Sequence, residues 1–123
     1  MKKPEIFPID VIIIAVPETA GSALYGMVDV LLAAGNIWQT LVRTDPAETL
    51  FRVRILSRTG EPFICGNGIP VSPELSVEDD PSAQIVILPE LWLGPDEHMK
   101  GRYPELMDWI RHQHAAEIGR AHV

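Results

Sequence analysis

Apolar residues recur along this chain with three different spacings, and each spacing predicts a different element. Residues 9–16 (IDVIIIAV) are almost continuously apolar and β-branched, the pattern of a strand covered on both faces, as parallel sheets require. Pro17 ends that run, and residues 18–22 form a small-residue turn in which Ser22 is placed to cap a helix. From Ala23 to about Leu41, apolar positions fall at Leu24, Met27, Val28, Leu31, Leu32 and Trp38, three and four apart, which paints one face of that helix. Gly35-Asn36 is expected to loosen or end its last turns. Residues 43–49 read as a polar loop around Asp45-Pro46. Residues 50–57 (LFRVRILS) alternate apolar with basic, which predicts a strand with one solvated side at a sheet edge.

Two short extended pieces, 62–65 and 69–72, flank Gly66-Asn67-Gly68, a hairpin signal because Asn and Gly tolerate positive φ. Residues 73–81 are acidic and turn-rich, with one helical turn expected at 75–79. Residues 84–89 (QIVILP) predict a buried strand and 91–102 a long loop. Residues 103–117 predict an amphipathic helix burying Leu106, Trp109 and Ile110. The order strand, helix, strand, hairpin, strand, helix describes part of a three-layer α/β/α sandwich with a mostly parallel sheet. A strand and crossover helix lead into a parallel partner strand. That partner is expected to be missing, leaving the 84–89 strand with an unpaired apolar edge that promotes association.

Composition narrows the function. The 123 residues, 46% of them hydrophobic, suit one domain. A formal charge of −7 opposes nucleic-acid contact by this segment, because such binding draws largely on Lys and Arg displacing counterions from phosphates. Lys2 and Lys3 precede an apolar stretch, but Glu5, Pro8 and Asp10 intervene and the apolar core is too short for a signal peptide. No run approaches membrane-helix length. The single cysteine excludes an internal disulfide and fits a reducing, cytoplasmic setting.

Several residues invite chemical roles. Cys65 sits at the hairpin without a neighbouring histidine or helix N-terminus, the situation of a buried structural thiol. His112 and His114 lie about 200° apart around a helix and cannot share one metal ion, so no metal site is expected, and no cofactor site either. Glu18 and Glu90 each follow an apolar strand, which places both on the rim where open α/β sheets bind ligands. A recognition pair and two solvated carboxylates are equally good readings of them. His98 and Trp92 lie on the loop after the 84–89 strand, Trp92 placed to line a pocket or a dimer surface. Asp29 falls off the apolar stripe of the first helix and is expected to be solvated. Gly66-Asn67-Gly68 lacks the Lys and Ser/Thr of a phosphate-binding loop and is read as a turn.

PETAGSALYGMVDVLLAAGNIW after the first strand, the Gly-containing hairpin, ILPELW and GRYPELMDWIRHQHAAE together resemble the ThiJ/PfpI superfamily. That superfamily has the flavodoxin-like, class I glutamine amidotransferase-like fold. The likeness extends over residues 9–117 and is strongest to the sensor domains of AraC-type transcription regulators. For enzymes of the superfamily it implies a cysteine on a sharp turn after the next strand, a glutamate early in the first helix and Gly-Gly backbone donors after the later strand. Here the glutamate position holds Ala23, the Gly-Gly site reads Glu90-Leu91, and the cysteine turn is expected beyond Val123. A carboxylate at the Gly-Gly site would repel a developing anion. No catalytic residue is therefore expected.

The resemblance implies a non-catalytic ligand-sensing or dimerisation part of an AraC-type regulator, separated from its DNA-binding region. A small-molecule effector and a homodimer of the full-length protein are the partners it implies. The alternative it leaves open is an N-terminal fragment of a cysteine amidase, deglycase or hydratase. Residues 1–117 are read as the partial domain. Residues 117–123 (EIGRAHV) abandon the amphipathic pattern, and their back-translation matches a common sequencing adapter. The expectation is that 118–123 form a non-native, adapter-derived tail, the alternative being a natural frayed terminus.

Overall fold

A computed structural model describes residues 8–34, 50–98 and 101–115, and the backbone of 119–122. The first strand, β1, spans Ile9–Ile14 and is followed by helix α1, Gly21–Ala33. Then come β2 (Phe51–Ser57), the hairpin β3 (Phe63–Cys65) and β4 (Ile69–Val71), and the two-residue strand β5 (Leu75–Ser76). Strand β6 (Ile85–Leu88), helix α2 (Pro104–Ala115) and strand β7 (Gly119–His122) complete the described chain.

Five strands form one sheet in the order β5-β2-β1-β6-β7, with parallel pairing throughout, while β3 and β4 pair antiparallel as a separate ribbon. The centre is β1, matched to β2 from Ile9↔Phe51 to Ile14↔Leu56 and to β6 from Val11↔Ile85 to Ile13↔Ile87. Successive residues of a strand point to opposite faces. Accordingly Val11, Ile13 and Ala15 pack with Leu24 of α1 and with Cys65 and Val71 of the hairpin. Ile12, Ile14 and Val16 pack on the other side with Leu106 and Trp109 of α2. From Val11 onward both faces of β1 are dry, which is why the sequence is unbroken apolar from Val11 to Val16. Each fully buried Ile contributes about 1.5–3 kcal/mol of burial free energy. The result is a three-layer α/β/α arrangement with a mostly parallel sheet, the class the sequence predicts.

Several local expectations are corrected. Strand β7 lies parallel beside β6, in register from Ile85↔Gly119 to Leu88↔His122. The unpaired edge expected at β6 is therefore covered: residues 119–122 pair with it and β6 is interior. Gly119 weakened the strand signal in a segment whose pairing comes from the neighbouring backbone, not from side-chain pattern. The alternation in β2 predicted an edge, yet β5 covers it through Leu56↔Leu75 and Ser57↔Ser76. Its basic residues instead meet an acid: Arg52 donates to Asp10 across the β1–β2 pair, and Arg54 lies 4.0 Å from the same carboxylate. Ser22 does not cap α1; the N-cap is Ala20, with no side-chain cap hydrogen bond. The helical turn expected at 75–79 begins as β5, and only Val77–Asp79 forms a 3-10 turn, closed by a Ser76–Asp79 capping box.

The hairpin turn is as predicted, with Asn67 at φ 61° and Gly68 at φ 72°. Trp109 and Leu106 are buried and Ile110 half-buried, as expected of α2. The continuation of the first helix through residues 35–41 with Trp38, the 43–49 loop, residues 99–100, the last turn of the second helix at 116–117, and residues 118 and 123 lie outside the described residues.

Candidate functional site

In this strand order the chain leaves β1 toward β2 and β5, then crosses back to β6 on the other side of β1. The switch point is thus the rim at the carboxyl ends of β1 and β6, where open α/β sheets form ligand crevices. Here the two loops on that rim are joined to each other. An isolated antiparallel bridge sets Thr19 opposite Leu91; Trp92 N donates to Glu18 O at 2.6 Å and Ala20 N to Glu90 O at 2.8 Å. Thr19 is fully buried, and its Oγ1 accepts from Val16 N at 2.9 Å, closing the turn on itself. Gly66 N of the hairpin turn donates to Thr19 O at 3.0 Å, and a Cβ at Gly66 would meet that oxygen at 2.9 Å. Glycine is needed there for close approach rather than for an unusual φ.

This bridge fixes where the two carboxylates stand. Glu18 stands opposite Trp92 and Glu90 opposite Ala20, so Glu18 and Glu90 sit diagonally across the bridge instead of facing each other. Glu90 is exposed and turns to solvent. Glu18 is held: its side chain is only 11% exposed, and Tyr103 donates its hydroxyl to Oε1 at 2.5 Å and Oε2 at 2.9 Å. Arg102 approaches Glu18 Oε2 at 3.5 Å and Glu97 Oε2 at 3.4 Å, tying the long loop after β6 into the same group. Burial first, and then the Glu18 carboxylate, push the Tyr103 phenol up to about 12, while Arg102 and Arg58 act the other way.

Tyr103 adopts φ 51°, left-handed backbone that costs a bulky residue about 1–3 kcal/mol. It directly precedes Pro104, the first helical residue of α2, where a fixed φ suits the helix start. The strained residue is also the one that reaches across to Glu18.

Beside Tyr103, at the carboxyl ends of β1 and β2, lies a half-open cavity of about 180 Å3. Ala15, Val16 and Phe63 supply apolar wall, and Ser57, Arg58 and Glu61 supply polar groups. Ser57 Oγ accepts from Gly60 N at 2.8 Å, which tightens the turn carrying Arg58. The sequence reading singled out none of these residues. The rule that pointed to Glu18 after β1 points equally to Arg58 after β2.

Of the remaining candidates, Trp92 is 55% exposed on a shallow depression with Leu93 and Glu97, and His98 is exposed on the same loop. Trp92 meets Glu18 only through its backbone N–H, and neither side chain lines the cavity. Cys65 is buried in the core on the α1 side of the sheet, and burial pushes its thiol up. His112 and His114 are exposed and flank buried Gln113, and Asp29 is exposed. Among the described residues, no group of three or more His, Cys, Asp or Glu side chains could hold a metal ion. No described helix is long and apolar enough to cross a membrane.

No family model and no curated protein matches the chain. Solved structures do. A protein of Vibrio parahaemolyticus provisionally named a transcriptional regulator aligns with a TM-score of 0.68 at 19% identity, covering 94% of this chain and 56% of that one. An AraC family transcriptional regulator from Pseudomonas putida aligns with a TM-score of 0.64 at 19% identity, covering 94% and 64%. Oxidized DJ-1 from Toxoplasma gondii aligns with a TM-score of 0.67 at 13% identity, covering 93% and 54%. Structural neighbours thus include both AraC-type regulators and DJ-1 superfamily proteins, and at these identities the likeness carries the fold. The chain spans between half and two-thirds of the length of each.

Proposed function

We propose that this chain is the ligand-sensing or dimerisation part of an AraC-type transcriptional regulator and has no catalysis of its own. The observation that carries the reading is the state of the rim. Loops that would have to admit a substrate and a nucleophile at the β1/β6 switch point are joined by the Thr19–Leu91 bridge, and Glu18 is committed to Tyr103 and Arg102. The open cavity lies to one side, over β1 and β2, with no thiol in its wall. A half-open space with polar groups but no thiol suits recognition rather than thiol-dependent turnover. The regulator from Pseudomonas putida among the structural neighbours supports the same reading. The net charge of −7 argues that DNA contact belongs to another part of the parent protein.

The second reading, a piece of a cysteine amidase, deglycase or hydratase, draws on the DJ-1 likeness. The complete reading frame separates the two. A basic helix-turn-helix region downstream, with promoter affinity that changes when a small molecule binds, is the expected result. A downstream cysteine on a strand-to-helix turn, with thiol-dependent turnover, would replace sensing with catalysis. Sedimentation of the full-length protein tests the homodimer, and a monomer at all concentrations would remove it.

A further inference from the structure

Arg52, Arg54, Arg102 and Arg111 each have a carboxylate within 4.0 Å. Among the arginines whose side chains are described, Arg58 alone has no carboxylate within that distance among the described residues. In a chain with 17 acidic against 10 basic residues, an arginine without a partner is out of keeping with the charge balance. Arg58 stands at the cavity at the carboxyl ends of β1 and β2. Guanidinium groups present a planar fork of donors matched to carboxylate geometry. Ser57, 4% exposed, lines the same space; its Oγ accepts from Gly60 N, and its hydroxyl hydrogen has no acceptor among the described residues. Among the described residues, a buried donor without an acceptor and a cation without a counter-ion therefore border one cavity.

The rest of the wall sets size and charge. The volume of about 180 Å3 is slightly above that of an apolar cavity able to hold benzene, about 150 Å3, so the ligand has a compact body. Ala15, Val16 and Phe63 are apolar and suit such a body. Glu61 lies on the same wall and opposes a second negative charge, which disfavours phosphate and dicarboxylates.

We propose that this cavity binds a small monocarboxylate, its carboxylate on the Arg58 guanidinium and the Ser57 hydroxyl and its short apolar body against Val16 and Phe63. This deepens the sensing reading and rests on it for physiological meaning, since it names the effector class.

The test titrates the purified chain with acetate, isobutyrate and benzoate, with isobutyramide, succinate and sulfate as comparisons, following backbone amide shifts by NMR. At least one monocarboxylate is expected to saturate, with the largest shifts at residues 57–61. Isobutyramide and succinate should bind at least tenfold more weakly. Arg58→Gln should weaken binding at least tenfold, whereas Arg111→Gln, on the exposed face of α2, should leave it unchanged. Arg58 is exposed, so its variant is expected to fold, and unchanged amide shifts elsewhere would verify this. Absence of saturation by all three acids, equal binding of isobutyramide, sulfate binding as tightly as the acids, or undiminished binding by Arg58→Gln would each overturn the assignment. The sensing reading has a separate outcome. A different compound class changing the promoter affinity of the full-length protein would refute the carboxylate while preserving sensing. Carboxylate binding with no effect on promoter affinity would preserve the site and refute sensing.

Discussion

Tyr103 and Glu18 are 85 residues apart in sequence, and the tyrosine hydroxyl donates to both oxygens of the glutamate carboxylate. One stands at the start of α2 and the other on the turn after β1, so the contact fastens the helix layer to the rim of the sheet. A neutral donor on a carboxylate of low exposure contributes more than an ordinary hydrogen bond, about 1.5–3 kcal/mol before solvent screening.

Tyr103→Phe keeps the ring and removes the proton donor, leaving Glu18 with Arg102. Unfolding by urea should show a loss of about 1–2 kcal/mol with the slope unchanged. A change below a few tenths would mean that the contact contributes little.

The same pair sets an alkaline limit. The folded-state pKa of Tyr103, about 12, lies above the unfolded value of about 10. A raised pKa means that the protonated form is favoured by folding, so this contribution is complete below about pH 10 and is lost as the pH rises toward about 12. Tyrosinate absorbance should show a late ionisation that disappears in Tyr103→Phe. Wild-type and variant stabilities should converge over that same window. A stability difference that persists unchanged through it would contradict the proton-donor role.

Two glycines of α1 should respond to alanine with opposite signs. A Cβ at Gly21 would lie 2.6 Å from Ile69 Cδ1 and 2.9 Å from Ile69 Cβ, so the hairpin would have to move away. Overpacking of this kind costs about 1–3 kcal/mol. A Cβ at Gly26 would meet no described atom outside its own helix backbone within 4 Å, and the position is exposed, so Gly26→Ala should gain up to about 1 kcal/mol of helix propensity. Thermal melts of both variants check the pair, and a stabilised Gly21→Ala would show that Ile69 yields easily.

Cys65, 4% exposed with its thiol pushed up by burial, should alkylate slowly at neutral pH. Its rate with iodoacetamide is expected to approach that of a free thiol only in denaturant. Rapid modification of the folded chain would mark it as an activated nucleophile instead.

On α2, Trp109 Nε1 donates to Pro81 O at 2.9 Å and Gln113 Nε2 donates to the same oxygen at 3.2 Å. Among the described residues Gln113 Oε1 is buried without a partner, so Gln113→Met removes an unsatisfied acceptor and should be neutral or stabilising by up to about 1 kcal/mol. Leu106→Ala, at a fully buried position, should cost about 2–5 kcal/mol. Denaturant midpoints compare the two, and a Gln113→Met loss approaching that of Leu106→Ala would reveal an acceptor role for the amide.

Strong periodicity was readable without coordinates. The unbroken apolar run of β1, the three-and-four spacing of Leu24, Met27 and Val28, the Gly66-Asn67-Gly68 turn and the Leu106/Trp109 face each report a local environment that one segment states by itself. Positions after strands also pointed correctly to the rim, and Glu18 proved to be one of its anchored groups. Pairing was less legible, because it depends on segments far apart. Nothing within residues 119–122 announces a strand; β6 supplies the backbone partners that make it one. The alternation of β2 looked like an edge because its arginines face a single distant acid, Asp10.

What the sequence determined alone was the alternation of layers, since burying apolar residues at periods of two and 3.6 leaves few other arrangements. Tertiary structure decided the chemistry of the rim. Only the antiparallel Thr19–Leu91 bridge sets Glu90 apart from Glu18, only the left-handed backbone at Tyr103 brings its hydroxyl onto that carboxylate, and only the fold sets Arg58 at the cavity with no counter-ion among the described residues. Periodicity reports burial residue by residue, whereas the meeting of charges depends on distances between loops that no local pattern encodes.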